Sequence, residues 1–135
     1  MSDPNPKSEY MLLFRGTVFD KNLSPEALQD VMTRWMAWYE GLVRTGKALA
    51  GQPLTNEGKV VSGRGGRSVA DGPFAESKEA VAGYFLLRVD SFDEAVAIAR
   101  MCPGLDHGTA VEVRQVAEQC RVAQKVNEQL AGATA

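Results

Sequence analysis

The chain holds a single histidine and two cysteines in 135 residues. One histidine cannot furnish the histidine-rich ligand set of a catalytic zinc site, and Cys102 and Cys120 match no metal or redox spacing. Both thiols are therefore expected to be reduced and structural, as in a cytoplasmic protein. No apolar run approaches the roughly 20 residues that span a bilayer. The opening Met1-Ser2-Asp3-Pro4-Asn5-Pro6 lacks the basic start and apolar middle of an export signal, so neither membrane insertion nor secretion is expected. There is little excess of either charge. Fifteen Lys and Arg against 17 Asp and Glu leave a net charge of -2, which argues against the broad phosphate contacts of direct nucleic-acid binding. A serine triad is unsupported, because no Gly-x-Ser-x-Gly elbow exists.

What is present suits one soluble domain, with 44% hydrophobic and 24% charged residues. Residues 1–8 read as a polar, proline-punctuated leader. A strand is expected over Glu9–Gly16, with Tyr10, Leu12 and Phe14 on one face and Met11, Leu13 and Arg15 on the other. Ser24 caps a helix that starts at Pro25, and Gly46 is its left-handed stop. Its apolar stripe is Leu28, Val31, Met32, Trp35, Tyr39 and Leu42, with Met36 and Trp38 partly off it as candidates for a cleft wall, a subunit contact or rim packing. A strand follows over Ala48–Leu54. Lys59–Ser62 and Arg67–Ala70 then form a hairpin around Gly63-Arg64-Gly65-Gly66, whose glycines supply positive backbone angles. That tip reads either as a plain turn or as an anion cradle with Arg64 and Arg67.

Ala80–Asp90 is the next strand, its faces alternating Tyr84, Leu86, Arg88 with Phe85, Leu87, Val89. Ser91-Phe92-Asp93-Glu94 is a capping box for a second helix, buried through Ala95, Val96, Ile98, Ala99 and Met101 and stopped by Pro103-Gly104. Thr109–Val116 closes the pattern, and Val122, Val126 and Leu130 mark an amphipathic helix in the 117–135 tail, ending before Gly132. The order is ferredoxin-like βαββαβ, an α+β fold over residues 9–116 with an inserted β-hairpin and a C-terminal helix. Two helices cover one sheet face. Since both faces of Tyr10–Arg15 and Gly83–Val89 are largely apolar, the second face is expected to meet another copy in a homodimer.

The run Asp71-Gly72-Pro73-Phe74 together with Tyr10-Met11-Leu12-Leu13, Gly83-Tyr84-Phe85-Leu86-Leu87, Cys102-Pro103-Gly104 and Val111-Glu112-Val113-Arg114 resembles the Asp-Gly-Pro-Phe (DGPF) subgroup of the YCII-related family. The resemblance implies a ferredoxin-like domain paired into a dimeric α/β barrel. Better-studied branches of that family pair a histidine on the first helix with a nearby aspartate. This chain has no histidine between Pro25 and Thr45, so that dyad is not carried over. The resemblance also implies a second possibility, a regulatory or protein-interaction module linked to transcription initiation, with the Gly63–Arg67 tip or the C-terminal helix as the contact.

Candidate chemistry gathers around the Asp-Gly-Pro-Phe turn and the lone histidine. His107 can exchange protons near neutral pH, and Asp71 or Glu76 is a better orienting partner for it than Asp106, whose side chain points away from its neighbour's. His107 and Asp71 are therefore the catalytic candidates, without a cofactor or a metal. The turn also has a purely structural reading: Pro73 fixes the bend, Phe74 plugs the core and Asp71 satisfies turn amides. Ligand-binding candidates are Glu76, Phe74, Arg15 and Trp38, around a small molecule in a cleft beside the turn. Arg15, Arg88 and Arg114 form either an anion site or ion pairs with Glu112 at a dimer surface.

Overall fold

The structure, a computed structural model, describes residues 7–16, 22–73 and 79–133. Four strands form the main sheet: β1 (Ser8–Arg15), β2 (Ala48–Pro53), β5 (Val81–Val89) and β6 (Ala110–Gln115). Their spatial order is β2-β5-β1-β6 and every adjacent pair is antiparallel, an arrangement compatible with a ferredoxin-like fold. A separate two-stranded ribbon, β3 (Lys59–Ser62) with β4 (Ser68–Asp71), is the expected hairpin. Three α-helices occur among the described residues: α1 (Pro25–Arg44), α2 (Phe92–Ala99) and α3 (Arg121–Ala133). Of the expected leader, Lys7 and Ser8 are described, and Ser8 already belongs to β1.

The caps explain where the helices begin. Ser24 Oγ accepts from the Ala27 amide at 3.2 Å, with Pro25 in the first turn. Ser91 Oγ accepts from the Glu94 amide at 3.1 Å. Glu94 reaches back one residue further than a capping box requires, accepting from Asp90 N rather than from Ser91 N. α1 ends as expected, with Gly46 at φ +74°.

The core lies on one face of the sheet. Register pairs Tyr10 with Leu87 and Leu12 with Phe85, so Tyr10, Leu12, Phe14, Phe85, Leu87 and Val89 share that face and are buried. α1 and α2 roof it. Phe85 is the hub of an aromatic cluster, with ring centroids 4.8 Å from Phe14, 4.9 Å from Trp38 and 4.7 Å from Tyr39. Gly51 makes this approach possible, since a Cβ there would stand 2.8 Å from both Phe85 Cδ1 and Tyr39 Cε1.

Several side chains lie elsewhere than expected. Met32 is exposed, because at 3.6 residues per turn it sits about 80° from the centre of the stripe set by Val31, Trp35 and Leu42. Trp38, on the other side of that stripe, is half-buried and packs against the aromatic cluster, in keeping with the rim-packing alternative. Met101 is also exposed, because α2 ends at Ala99 and the chain has turned away by then. α3 starts at Arg121 and runs through Gly132 to Ala133. Cys120, expected to be structural, is exposed ahead of α3, whereas Cys102 is buried; both are free.

The opposite face of the sheet carries Met11, Leu13, Tyr84 and Leu86, all half-buried. Among the described residues no helix packs over it.

Candidate functional site

At one end of the sheet, the β2–β3 loop and the Gly72-Pro73 turn are stitched together. Leu54 N donates to Ala82 O at 2.7 Å and Gly72 N donates to Gly58 O at 3.0 Å. Gly72 is buried with φ +138°, a backbone state that disfavours any Cβ, and a Cβ on Gly58 would lie 2.8 Å from Gly72 O. These close backbone approaches hold open a cleft of about 270 Å³. Val81 and Ala82 line it from the start of β5, Thr55, Asn56 and Glu57 from the loop, and Pro73 from the turn. The volume lies just below the roughly 300–1,000 Å³ usual for small-molecule sites. Glu57, Asn56 and Thr55 give it one carboxylate, one amide and one hydroxyl, a set that can accept from and orient a small polar ligand.

The expected site residues distribute around this end unevenly. Asp71 immediately precedes the turn, but its carboxylate is 75% exposed and forms an ion pair with Lys59 across the ribbon. A neighbouring strand's ammonium thus engages this carboxylate, and the turn amides beyond Pro73 lie outside the described residues. Phe74 and Glu76 lie outside the described residues. His107 ends the 3-10 turn Pro103–His107 and is half-buried ahead of left-handed Gly108. It leads into β6, at the opposite edge of the sheet from β2, and the two edges are three strand spacings or about 14 Å apart. His107 and Asp71 therefore share one end of the sheet without being brought into contact.

Arg15 and Trp38 are not among the residues that line the cleft. Arg15 lies at the end of β1, with a terminal guanidinium nitrogen 3.0 Å from Glu112 Oε1 and its Nε buried without a hydrogen-bond partner. Glu112 also accepts from Arg114 Nε at 2.5 Å. That hydrogen bond, more than the charges of Arg114 and Arg15, holds the Glu112 carboxyl below its ordinary value. Arg88 pairs in register with Glu9, six residues or about 20 Å along β1 from Arg15, so the three arginines do not converge on one anion. The ion-pair alternative describes Arg15 and Arg114. Trp38 sits between Phe14 and Phe85, its Nε1 buried without a partner.

The two thiols differ sharply. Burial pushes Cys102 up to about 11, with backbone hydrogen bonds from Gly104 and Leu105 offsetting only part of the shift. Cys120 is lowered, chiefly by the Ala123 amide and then by that of Val122, as expected for a thiol at a helix start. Among the described residues no three His, Cys, Asp or Glu side chains cluster to hold a metal ion. No described helix is long and apolar enough to cross a membrane.

The cleft residues Thr55, Asn56 and Glu57 were not singled out by sequence reasoning. Their signal was available: a polar stretch closed by Gly58 between two strands.

An antiparallel sheet with helices on one face, a hairpin inserted before β5 and a small cleft at the hairpin's base defines an α+β domain compatible with a ferredoxin-like fold. The family model for the YCII-related domain matches residues 9–119. The chain belongs to the YCII-related family. No curated protein matches it.

Proposed function

We propose that this protein is a homodimer of the Asp-Gly-Pro-Phe subgroup that binds a small polar molecule in the cleft beside Gly72-Pro73, in the cytoplasm and without a cofactor. The observation that carries this reading is the cleft itself, where Gly58 and Gly72 allow two backbone segments to approach and Thr55, Asn56 and Glu57 present polar groups to the space between. Cofactor-free acid/base catalysis is proposed for a ligand that reaches beyond the cleft, with His107 and Asp71 as candidate proton carriers and Glu76 and Phe74 as candidate ligand contacts; Arg15 and Trp38, outside the cleft lining, would meet only such an extended ligand. Bringing His107 toward the turn requires either a ligand that spans the end of the sheet or a second copy that brings its own residues there. The homodimer is supported by the half-buried Met11, Leu13, Tyr84 and Leu86, which together form an apolar sheet face that the chain's own helices leave uncovered. An α/β barrel of two such faces is the arrangement proposed.

A metabolite library screened by thermal shift tests the cleft. A ligand that raises the melting temperature should lose that effect when Ala82→Trp fills the cleft and when Glu57→Gln removes its carboxylate. Turnover of that ligand should fall in His107→Ala and in Asp71→Asn if both carry protons. Ligands that stabilise Ala82→Trp as well as the parent protein contradict the reading.

A protein-interaction module is favoured by a different observation, since every residue from 59 to 71 is exposed and β3 and β4 pair with each other alone among the described strands.

A further inference from the structure

The β3–β4 ribbon is an unusual structure to leave standing by itself. A two-stranded hairpin is marginal in water and ordinarily needs a third strand or a packed helix. Here the ribbon has no extensive packing against any other described element, and Val60, Val61 and Val69 are 44%, 64% and 62% exposed. Val61 and Val69 face each other in register, giving one side of the ribbon an apolar pair, while Val60 and Ala70 give the other side a second. Both outer edges present backbone amides and carbonyls to solvent, the groups that template the addition of a strand.

Charge narrows the choice of partner. Residues 58–70 contain Lys59, Arg64 and Arg67 and no carboxylate, in a chain whose net charge is -2. Lys59 is matched by Asp71. Arg64 and Arg67, at the glycine-rich tip, have no ion-pair partner among the described residues. The basic tip is therefore a local feature of an acidic protein and not a sample of a basic surface.

We propose that this ribbon is a docking arm for an extended acidic peptide segment of another protein, which adds as a third strand and places its carboxylates against Arg64 and Arg67. The inference rests on the interaction reading of the ribbon and is independent of the cleft. Nucleic acid is disfavoured because the arm holds three basic residues and no aromatic ring for base stacking. A second copy of this chain fits poorly. The edge strands of its main sheet are β2, Ala-Leu-Ala-Gly-Gln-Pro, which is uncharged, and β6, whose one carboxylate, Glu112, is already taken by Arg15 and Arg114, while a second ribbon would bring the same basic residues, its one carboxylate, Asp71, being paired with Lys59.

The test uses the full chain and three labelled eight-residue peptides in fluorescence polarisation: one alternating Val and Glu, one alternating Val and Lys, and the Val-Glu peptide with alternate amides N-methylated. The Val-Glu peptide should bind, and the Val-Lys peptide should bind at least tenfold more weakly. N-methylation should abolish binding by blocking strand addition. The double variant Arg64→Glu/Arg67→Glu should bind the Val-Glu peptide about tenfold more weakly, the sum expected of two exposed charge pairs, and Ala82→Trp should leave binding unchanged. Circular dichroism of the charge-reversed protein, altered only at exposed sites, checks that the fold is retained. Absence of Val-Glu binding at millimolar peptide overturns the proposal. So does equal binding of the Val-Lys or N-methylated peptide, equal binding by the charge-reversed protein, or binding that Ala82→Trp removes.

Discussion

The two faces of the main sheet are cut from the same strands and have similar composition, yet they meet different fates. Tyr10, Leu12, Phe14, Phe85 and Leu87 are buried under α1 and α2, while Met11, Leu13, Tyr84 and Leu86, their immediate chain neighbours, remain half-buried. Strand alternation makes the two sets and helix number decides between them. The closed face is explained by the fold of one chain. The open face, with its leucines and tyrosine, is not, and neither are the valines of the β3–β4 ribbon or the exposed Val122, Val126 and Leu130 stripe of α3. Apolar residues that a monomer leaves wet are best explained by what the monomer lacks.

The comparison predicts opposite outcomes for adjacent residues. Phe85→Ala removes the hub of the aromatic cluster and should cost about 3–5 kcal/mol in urea unfolding. Leu86→Glu, one residue on, should leave the fold intact and instead convert the dimer to monomer in light scattering. A dimer that survives Leu86→Glu would place the interface elsewhere.

Cys102 gives the next largest effect. Its folded pKa of about 11 lies above the value of 9.0 for a free thiol, so the native state holds a proton that the unfolded chain has lost between those values. Its contribution to stability is fully present below pH 9 and is lost as pH rises toward 11, a decline of about 2–3 kcal/mol. Comparison with Cys102→Ala in alkaline denaturant titrations should isolate that slope. Cys120, exposed and with its thiol lowered by the Ala123 amide, should react with iodoacetamide in the native protein while Cys102 waits for unfolding.

Smaller effects sit at the caps and on the ribbon. Ser24→Ala and Ser91→Ala should each cost about 0.5–2 kcal/mol by leaving a first-turn amide unpaired. Lys59→Met breaks an exposed ion pair and should change stability by less than about 1 kcal/mol.

Much of the fold was legible because its signals are local. Ser24-Pro25, Ser91 through Glu94, and Gly46 mark helix ends by chemistry within one turn, and the alternation in β1 and β5 needs no knowledge of partners. Met32 was misjudged because a stripe of threes and fours is broad, and where a helix rests on a sheet is settled by Gly51 and Phe85 from distant segments. The Asp71-Gly72-Pro73 turn announced the site, but not what surrounds it. The Lys59–Asp71 pair depends on hairpin register, and the distance from Asp71 to His107 depends on β6 and β2 being opposite edges, which strand order alone decides.

The mass of the protein in solution at micromolar concentration tests the proposed pairing through the second face most directly. Light scattering coupled to size exclusion should give twice the chain mass of 14.6 kDa. A single species at the chain mass itself, with Met11, Leu13, Tyr84 and Leu86 open to water, would contradict the account.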